Sequence, residues 1–170
     1  EPVAEMWRAN YPQHRGKIQV LWNGFDPEDG AGPRPLPPRP YRVLAHAGSL
    51  YGSRHPNLVL ASVARLIGRG CLNPGKLRIA LTGPVSLEAQ PDPREAAALR
   101  ESGCLEINAR LVPRAEADRL VAEADQLLLL DVLQANAGLQ VPGKLFEYIR
   151  TGRPILASTT PGSPVERILQ

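Results

Sequence analysis

The chain has 170 residues, and its composition of 43% hydrophobic and 22% charged residues predicts one globular domain. No apolar run approaches the roughly 20 residues that a membrane-spanning helix needs, which argues against an integral membrane protein. The net charge of +3 is unevenly spread, because residues 1–85 hold 11 basic and 5 acidic groups whereas residues 86–170 hold 9 and 12. A basic first half suits phosphate-bearing ligands or anionic membrane surfaces. Nucleic acid is not expected as a partner, because no cluster of Lys and Arg with interleaved aromatic residues is present.

The first residues of the chain and its two cysteines indicate a cellular location. The first ten residues have neither the basic start nor the apolar stretch of a secretory signal and no initiator Met, so they predict an internal boundary with further sequence before it. Cys71 and Cys104 lack the CxxC spacing or the neighbouring His of a metal site, which favours reduced structural thiols over a disulfide. We therefore expect a cytoplasmic location.

The first 40 residues predict a boundary segment without a core of its own. A polar, helical start precedes a short strand at residues 17–22 (KIQVLW), and residues 23–26 (NGFD) form a turn. Residues 30–40 hold five prolines and two glycines, which are incompatible with helix or central strand and predict a surface linker. The main domain is accordingly expected over residues 41–170.

From residue 41 onwards, predicted strands and helices alternate. Short apolar runs bounded by Gly, Pro or Asn predict strands, and apolar positions at helical spacing after Pro or Ser predict helices. The strands fall at residues 41–46, 77–81, 105–108, 126–132 and 153–158, and the helices at 56–69, 93–101, 142–151, from Pro113 and from Ser163. The run at 126–132 (QLLLLDV) is the most apolar, which predicts the centre of the sheet.

Such alternation predicts an α/β fold, a doubly wound Rossmann-like parallel sheet. Ligands in this architecture bind at the carboxyl ends of the strands. The turns that follow the strands are therefore where functional residues are expected.

The turn after the first strand (GSLYGSR) runs from Gly48 to Arg54 and precedes a helix. Glycines let backbone N–H groups approach a phosphate closely, and Arg54 could donate two hydrogen bonds to an oxyanion. The alternative is an ordinary tight turn, because the spacing matches neither GxGxxG nor a Walker A loop, and this argues against NAD and ATP.

The start of the helix at 142–151 (PGKLFEYIRT) is the second candidate. Lys144 in the first turn opposes the helix dipole, which favours a bound anion, and Glu147 one turn later could accept hydrogen bonds from paired sugar hydroxyls. The alternative is a surface ion pair between Lys144 and Glu147 worth roughly a few tenths of a kcal/mol.

Other polar residues at strand ends carry less specific signals. His46 is expected to be a half-buried hydrogen-bonding residue, with a general base as the alternative. Asp131 could face the cleft or serve as a cap or turn residue. Ser49 and Ser53 have no base and orienting acid in a recognisable pattern, and GSLYGS is not a GxSxG elbow, which argues against hydrolase chemistry.

Taken in order, the NGFD turn, Gly48 with a basic residue after it, and the segment VPGKLFEYIRTGRPILA resemble the C-terminal domain of GT-B glycosyltransferases of the retaining, GT4-like group. The resemblance covers essentially the whole chain. It implies the C-terminal half of a two-domain GT-B architecture that binds a UDP or GDP sugar, with an N-terminal acceptor-binding domain preceding it. The sugar would go to an acceptor in cell-surface polysaccharide or glycolipid synthesis, with peripheral contact at the inner face of the membrane in the full-length protein.

The resemblance also implies roles for individual residues. The catalytic residues would be Arg54 and Lys144, which stabilise the departing diphosphate. The residues implied in nucleotide-sugar binding are Gly48, Ser49, Arg54, Gly83, Val112, Lys144, Leu145 and Glu147, with Glu147 on the ribose and Val112 beside the base. No Asp-x-Asp motif is present, so no metal or other cofactor is expected.

One position departs from the family pattern. Many members carry a second glutamate eight residues before the ribose-binding one, and Leu139 occupies that position here. Either this subgroup dispenses with that carboxylate or another group such as Asn136 substitutes for it. Two other interpretations remain open: a half of a nonhydrolysing nucleotide-sugar epimerase, and a non-catalytic α/β binding module with a vestigial cleft.

Overall fold

The computed structural model describes residues 2–26, 34–131 and 140–170, and these contain one five-stranded sheet. All strand pairs are parallel and the strand order is β3-β2-β1-β4-β5. The strands are β1 (Arg42–Ala47), β2 (Leu77–Thr82), β3 (Leu105–Asn108), β4 (Gln126–Leu130) and β5 (Ile155–Ser158). The predicted Rossmann-like α/β fold is thus confirmed.

Helices connect the strands and begin where the sequence offers Pro or a capping side chain. The helices of the described residues are α1 (Pro2–Asn10), α2 (Asn57–Gly68), α3 (Pro93–Glu101), α4 (Arg114–Ala122), α5 (Gly143–Arg150) and α6 (Pro164–Leu169). Asp92 caps α3 by accepting hydrogen bonds from the amides of Arg94 and Glu95 at 2.9 and 3.1 Å. Ser163 caps α6 in the same way, accepting from the Glu166 amide at 3.1 Å, as its capping-box sequence predicts.

The two faces of the sheet carry separate apolar layers, which is why its interior strands are apolar on both sides. One layer joins α2 and α3 to alternate residues of β1, β2 and β4, including Leu44, Ile79 and Leu128. The other layer joins α5, including Leu145, and the end of α4 to the strand residues on the opposite face, including Ala45 and Leu127. Burial on both faces holds the carboxyl ends of the strands in a fixed arrangement.

The sequence-based position of the most apolar strand needs correction. β1, not β4, is the middle strand, and it pairs with β2 on one side and β4 on the other. Interior strands of a parallel sheet are covered on both faces wherever they stand, so apolarity distinguishes interior from edge strands and does not rank the interior ones.

The strand predicted at residues 17–22 is wrong. A short 3₁₀ helix covers Pro12–Lys17, and residues 18–26 are irregular. An apolar run forms a strand only beside another strand that takes its hydrogen bonds, and the sheet has none next to this segment. Leu21 is accordingly 96% exposed.

Residues 23–26 run along α5 instead. The side chain of Asn23 lies near Gly143 at the start of this helix. At its end, Arg150 donates to the backbone oxygen of Asp26 at 3.3 Å and lies over the Phe25 ring. The NGFD segment thus spans the length of α5.

The proline-rich segment is fastened to the amino ends of the strands. Arg39 donates to the carboxylate of Asp125 at 2.5 Å, and Arg42 donates to the other oxygen of the same carboxylate at 2.7 Å. The amide of Val43 adds a third hydrogen bond at 2.8 Å. Within the expected linker, residues 34–40 are irregular and residues 30–33 lie outside the described residues. Three other residues named in the sequence analysis, Val132, Asn136 and Leu139, also lie outside them. The boundary at residue 40 stays a prediction.

Candidate functional site

The strand order reverses between β1 and β4, and a parallel α/β sheet is expected to have its ligand crevice at that point. The chain winds from β1 through β2 to β3 on one side and then crosses to β4 on the other, and ligands bind at such a reversal of strand order. Gly48 follows β1, Asp131 follows β4, and Lys144 lies in the first turn of α5. Both turns that the sequence singles out therefore meet at one edge of the sheet.

Gly48 and Gly83 have backbone conformations that other residues rarely adopt, with φ of 141° and 135°. The Gly48 amide donates to Thr82 at 2.7 Å, and the Gly83 amide donates to Asn108 at 2.9 Å. A Cβ atom on Gly83 would collide with the backbone of Gly48. Gly83, expected on the cleft floor, is buried under the Gly48 turn and supports it.

Lys144 reaches across from α5 to this turn. Its Nζ atom donates to the carbonyl oxygen of Ala47 and fills the space that a Cβ on Gly48 would need. Burial lowers the pKa of Lys144 to about 8, with the charge of Glu147 opposing the shift and the charge of Arg54 adding to it. The absence of a side chain at Gly48 is therefore what admits the lysine.

Arg54 is a second cation at the Gly48 turn, and its charge acts on Lys144. Its Nη1 donates to the hydroxyl of Tyr51 at 2.6 Å, and its guanidinium lies 5.0 Å from the centroid of that ring. Its Nε is buried and has no hydrogen-bond partner among the described residues. The charges of Arg54 and Lys144 act on each other's surroundings, and among the described residues Glu147 is the one carboxylate whose charge opposes the shift at Lys144, so an excess of positive charge favours an anionic ligand.

Glu147 lies one turn along α5 from Lys144. Its Oε1 atom is 3.3 Å from Nη2 of Arg114, the first residue of α4, and its side chain is 41% exposed. It does not form the surface ion pair with Lys144 that the spacing allowed, because the lysine donates to Ala47 instead. The carboxylate is left at the crevice edge.

His46, at the end of β1, is buried more deeply than expected. Its side chain is a hydrogen-bonding residue, as predicted, because Nδ1 donates to the Leu128 oxygen at 2.9 Å. Burial, and next the charge of Lys144, lowers the pKa of His46 to about 4. His46 is thus neutral at physiological pH and is fixed in one tautomer.

Asp131 serves a structural purpose in the turn after β4. The residue is 2% exposed, and its Oδ2 accepts a hydrogen bond from Thr159 at 2.8 Å. Thr159 in turn lies 2.8 Å from the hydroxyl of Ser163, the cap of α6. This chain of contacts supports the turn-residue alternative.

The remaining expected binding residues differ in what they offer. Ser49 is exposed beside Gly48, and Val112 is half-buried in the loop before α4. Leu145 is fully buried in the core, and its amide donates to Pro142 at 3.0 Å. Its side chain faces the sheet because α5 must bury one side, so the structure places this residue away from the crevice.

Three residues with a part in this geometry were not identified as functional from the sequence. Tyr148 accepts a hydrogen bond from the Ala47 amide at 3.2 Å and so fixes α5 against β1, and burial raises its pKa. Tyr51 holds Arg54, and Arg114 holds Glu147. Only Tyr148 had a usable signal, since it follows Leu145 by three residues on the core face of the helix.

No model of a known protein family matches the chain, and no curated protein matches it significantly. Within residues 2–26, 34–131 and 140–170, no group of three His, Cys, Asp or Glu side chains could hold a metal ion. In the same ranges, every helix is too short or too polar to cross a bilayer.

Proposed function

We propose that this chain is the donor-binding half of a glycosyltransferase, which holds the diphosphate of a UDP- or GDP-type sugar between β1 and β4. One observation carries the proposal: Lys144 and Arg54, from two elements far apart in sequence, lie at the Gly48 turn where the strand order reverses. A nucleoside diphosphate carries the negative charge that would balance these two cations.

The start of α5 adds donors to the two cations. The amides of Gly143 and Lys144 belong to the first turn of the helix, where amides have no intrahelical carbonyl to bind. These amides and the helix dipole favour an anion at this point. The amide of Ser49 contributes from the opposite side of the crevice, since it makes no hydrogen bond within the described part of the chain.

The ribose of the nucleotide would lie along α5 beyond the diphosphate. Glu147 is one helical turn from Lys144, so a carboxylate stands next to the proposed phosphate position. A carboxylate can accept two hydrogen bonds from neighbouring hydroxyls, which is what a ribose diol presents. The order of groups along α5 thus matches the order of groups in a nucleoside diphosphate.

These residues would act on the bond to the leaving group. As the bond between the sugar and the diphosphate breaks, negative charge grows on the phosphate oxygen, and Lys144 and Arg54 would stabilise it. The acceptor side is expected from a second domain. We therefore expect the chain alone to bind nucleotide weakly and to transfer no sugar, and turnover by the isolated chain would contradict this.

Thermal shift with UDP, GDP, ADP and dTDP tests the proposal. Ligand in excess raises the melting temperature only if it binds the folded chain, and one nucleotide should do so. Arg54→Ala and Glu147→Ala should each lose most of the shift. Arg69→Ala and Glu101→Ala, matched changes at exposed residues following α2 and ending α3, should keep it.

The panel separates the proposal from one competing interpretation, and side-chain chemistry argues against the other. A vestigial binding module would show no shift with any of the four nucleotides. An epimerase half would bind UDP as well, but it needs acid and base side chains at the sugar, and His46 is buried and neutral.

A further inference from the structure

Three charged side chains, Asp118, Arg114 and Glu147, form a network of ion pairs that connects α4 to α5. Asp118 accepts hydrogen bonds from Nε of Arg114 with both oxygens, at 3.1 and 3.2 Å. The Nη2 atom of the same guanidinium reaches Oε1 of Glu147 at 3.3 Å. Arg114 therefore joins two carboxylates, one on its own helix and one on α5.

Helix stability does not explain this arginine. Arg114 is the first residue of α4, where a positive charge opposes the helix dipole. Its pair with Asp118 runs from a base to an acid four residues later, which is the less favourable order for such pairs. Both features cost α4 some stability, whereas the contact with Glu147 links the start of α4 to α5.

Glu147 has one oxygen engaged and one open. Its Oε1 faces Arg114, and Oε2 makes no hydrogen bond within the described part of the chain. Lys144, on the same helix, is close enough for the charge of Glu147 to act on it.

We propose that Arg114 is a positioning residue that holds the Glu147 carboxylate with its open oxygen towards the ribose hydroxyls of a bound nucleotide. The inference rests on the proposed function, since it takes Glu147 as the ribose contact. Asp118 holds the guanidinium through its Nε atom, which leaves Nη2 for Glu147.

The discrimination between ribonucleotide and 2′-deoxyribonucleotide measures this positioning. Calorimetry would compare UDP with dUDP, or GDP with dGDP if guanine binds more tightly. A hydrogen bond to a charged group is worth roughly a tenfold preference or more, so the wild-type chain should favour the ribose form by about that factor. Losing a cation lowers the affinities for both nucleotides by the same factor. The ratio of the two affinities is therefore the quantity to measure.

The variants separate positioning from charge. Arg114→Ala should bring the ratio close to one, and Arg114→Lys should restore it only in part, because lysine cannot hold both carboxylates at once. Asp118→Asn should give an intermediate ratio. Arg110→Ala, at an exposed cation in the loop that precedes α4, should keep the wild-type ratio. Melting temperatures should change little, since Arg114 is 61% exposed.

Two outcomes overturn the inference and are distinguishable. If Glu147→Ala abolishes the ribose preference while Arg114→Ala retains it, Arg114 does not position the carboxylate and the proposed function stands. If the wild-type chain binds none of these nucleotides, or Glu147→Ala keeps the full preference, the ribose assignment fails and takes the inference with it.

Discussion

Two features require glycine at position 48: its positive φ, and the Lys144 side chain that fills the space of a Cβ atom. Gly48→Ala would place a methyl group where Lys144 Nζ lies and would force alanine into a φ of 141°. We expect a loss of roughly 1–3 kcal/mol in the free energy of unfolding, together with loss of nucleotide binding. Urea denaturation and calorimetry measure the two effects.

Gly68→Ala is the matched control for this substitution. Gly68 ends α2 with open space around it and no positive φ. Alanine there should be neutral or stabilising, by up to about 1 kcal/mol. If Gly48→Ala behaved in the same way, the close approach of Lys144 to the turn would not be a constraint.

Lys144 should make nucleotide binding depend on pH. Its pKa is lowered to about 8, so it is charged below that pH and becomes neutral above it. Diphosphate affinity should therefore fall as the pH rises through 8, by up to roughly tenfold between pH 7 and 9. Calorimetry at the two pH values measures this.

Substitutions at Lys144 isolate its contribution. Lys144→Met should bind weakly and show little pH dependence above 7, whereas Lys144→Arg should stay charged at pH 9. A pH dependence unchanged in Lys144→Met would assign the titration to another group.

At the scale of elements, Asp125 is the contact that fastens the proline-rich segment to the sheet. Burial alone would raise its pKa, but hydrogen bonds from Arg42, Arg39 and the Val43 amide lower it to about 2. Because the folded pKa lies below the ordinary value, the stabilisation is present above about pH 4 and is lost as the pH falls towards 2.

Asp125→Asn tests this contact. The substitution should lower the free energy of unfolding at pH 7 by roughly 1–2 kcal/mol, after allowance for screening by solvent. It should also flatten the loss of stability between pH 4 and 2. Glu123→Gln, at an exposed acid two residues earlier, should change stability by at most about 0.5 kcal/mol in urea denaturation.

Helices and strands whose ends are set by neighbouring residues in the sequence could be predicted from it. β3 and α3 have the predicted bounds, since Pro93 with the Asp92 cap starts the helix and Gly103 follows its end. The strand expected at residues 17–22 failed, because a strand also needs a neighbour that no local pattern reveals.

The candidate site divides in the same way. Gly48 and Lys144 could be found because they stand at a strand end and a helix start. Arg114 and Tyr51 could not, because their roles depend on contacts with Glu147 and Arg54 that only the packed structure creates.

For the whole molecule, the strand order is what brings the candidate residues together. The crossing between β3 and β4 opens the crevice at the centre of the sheet, and the apolar layers on both faces hold its walls. The charged groups lie on turns and helix starts above this rigid base. That division leaves the turns free to differ in ligand specificity without disturbing the core.

The path of residues 23–26 beside α5 has a practical consequence for the tryptophan that precedes them. Trp22 is half exposed and lies in the same groove as Gln140 and Val141, just ahead of that helix. The other indole, Trp7, stacks on Tyr11 at the surface of α1. The molecule thus carries one intrinsic fluorophore beside the segment that leads into α5 and another on α1, and tryptophan emission can report changes around the start of α5 without an added label.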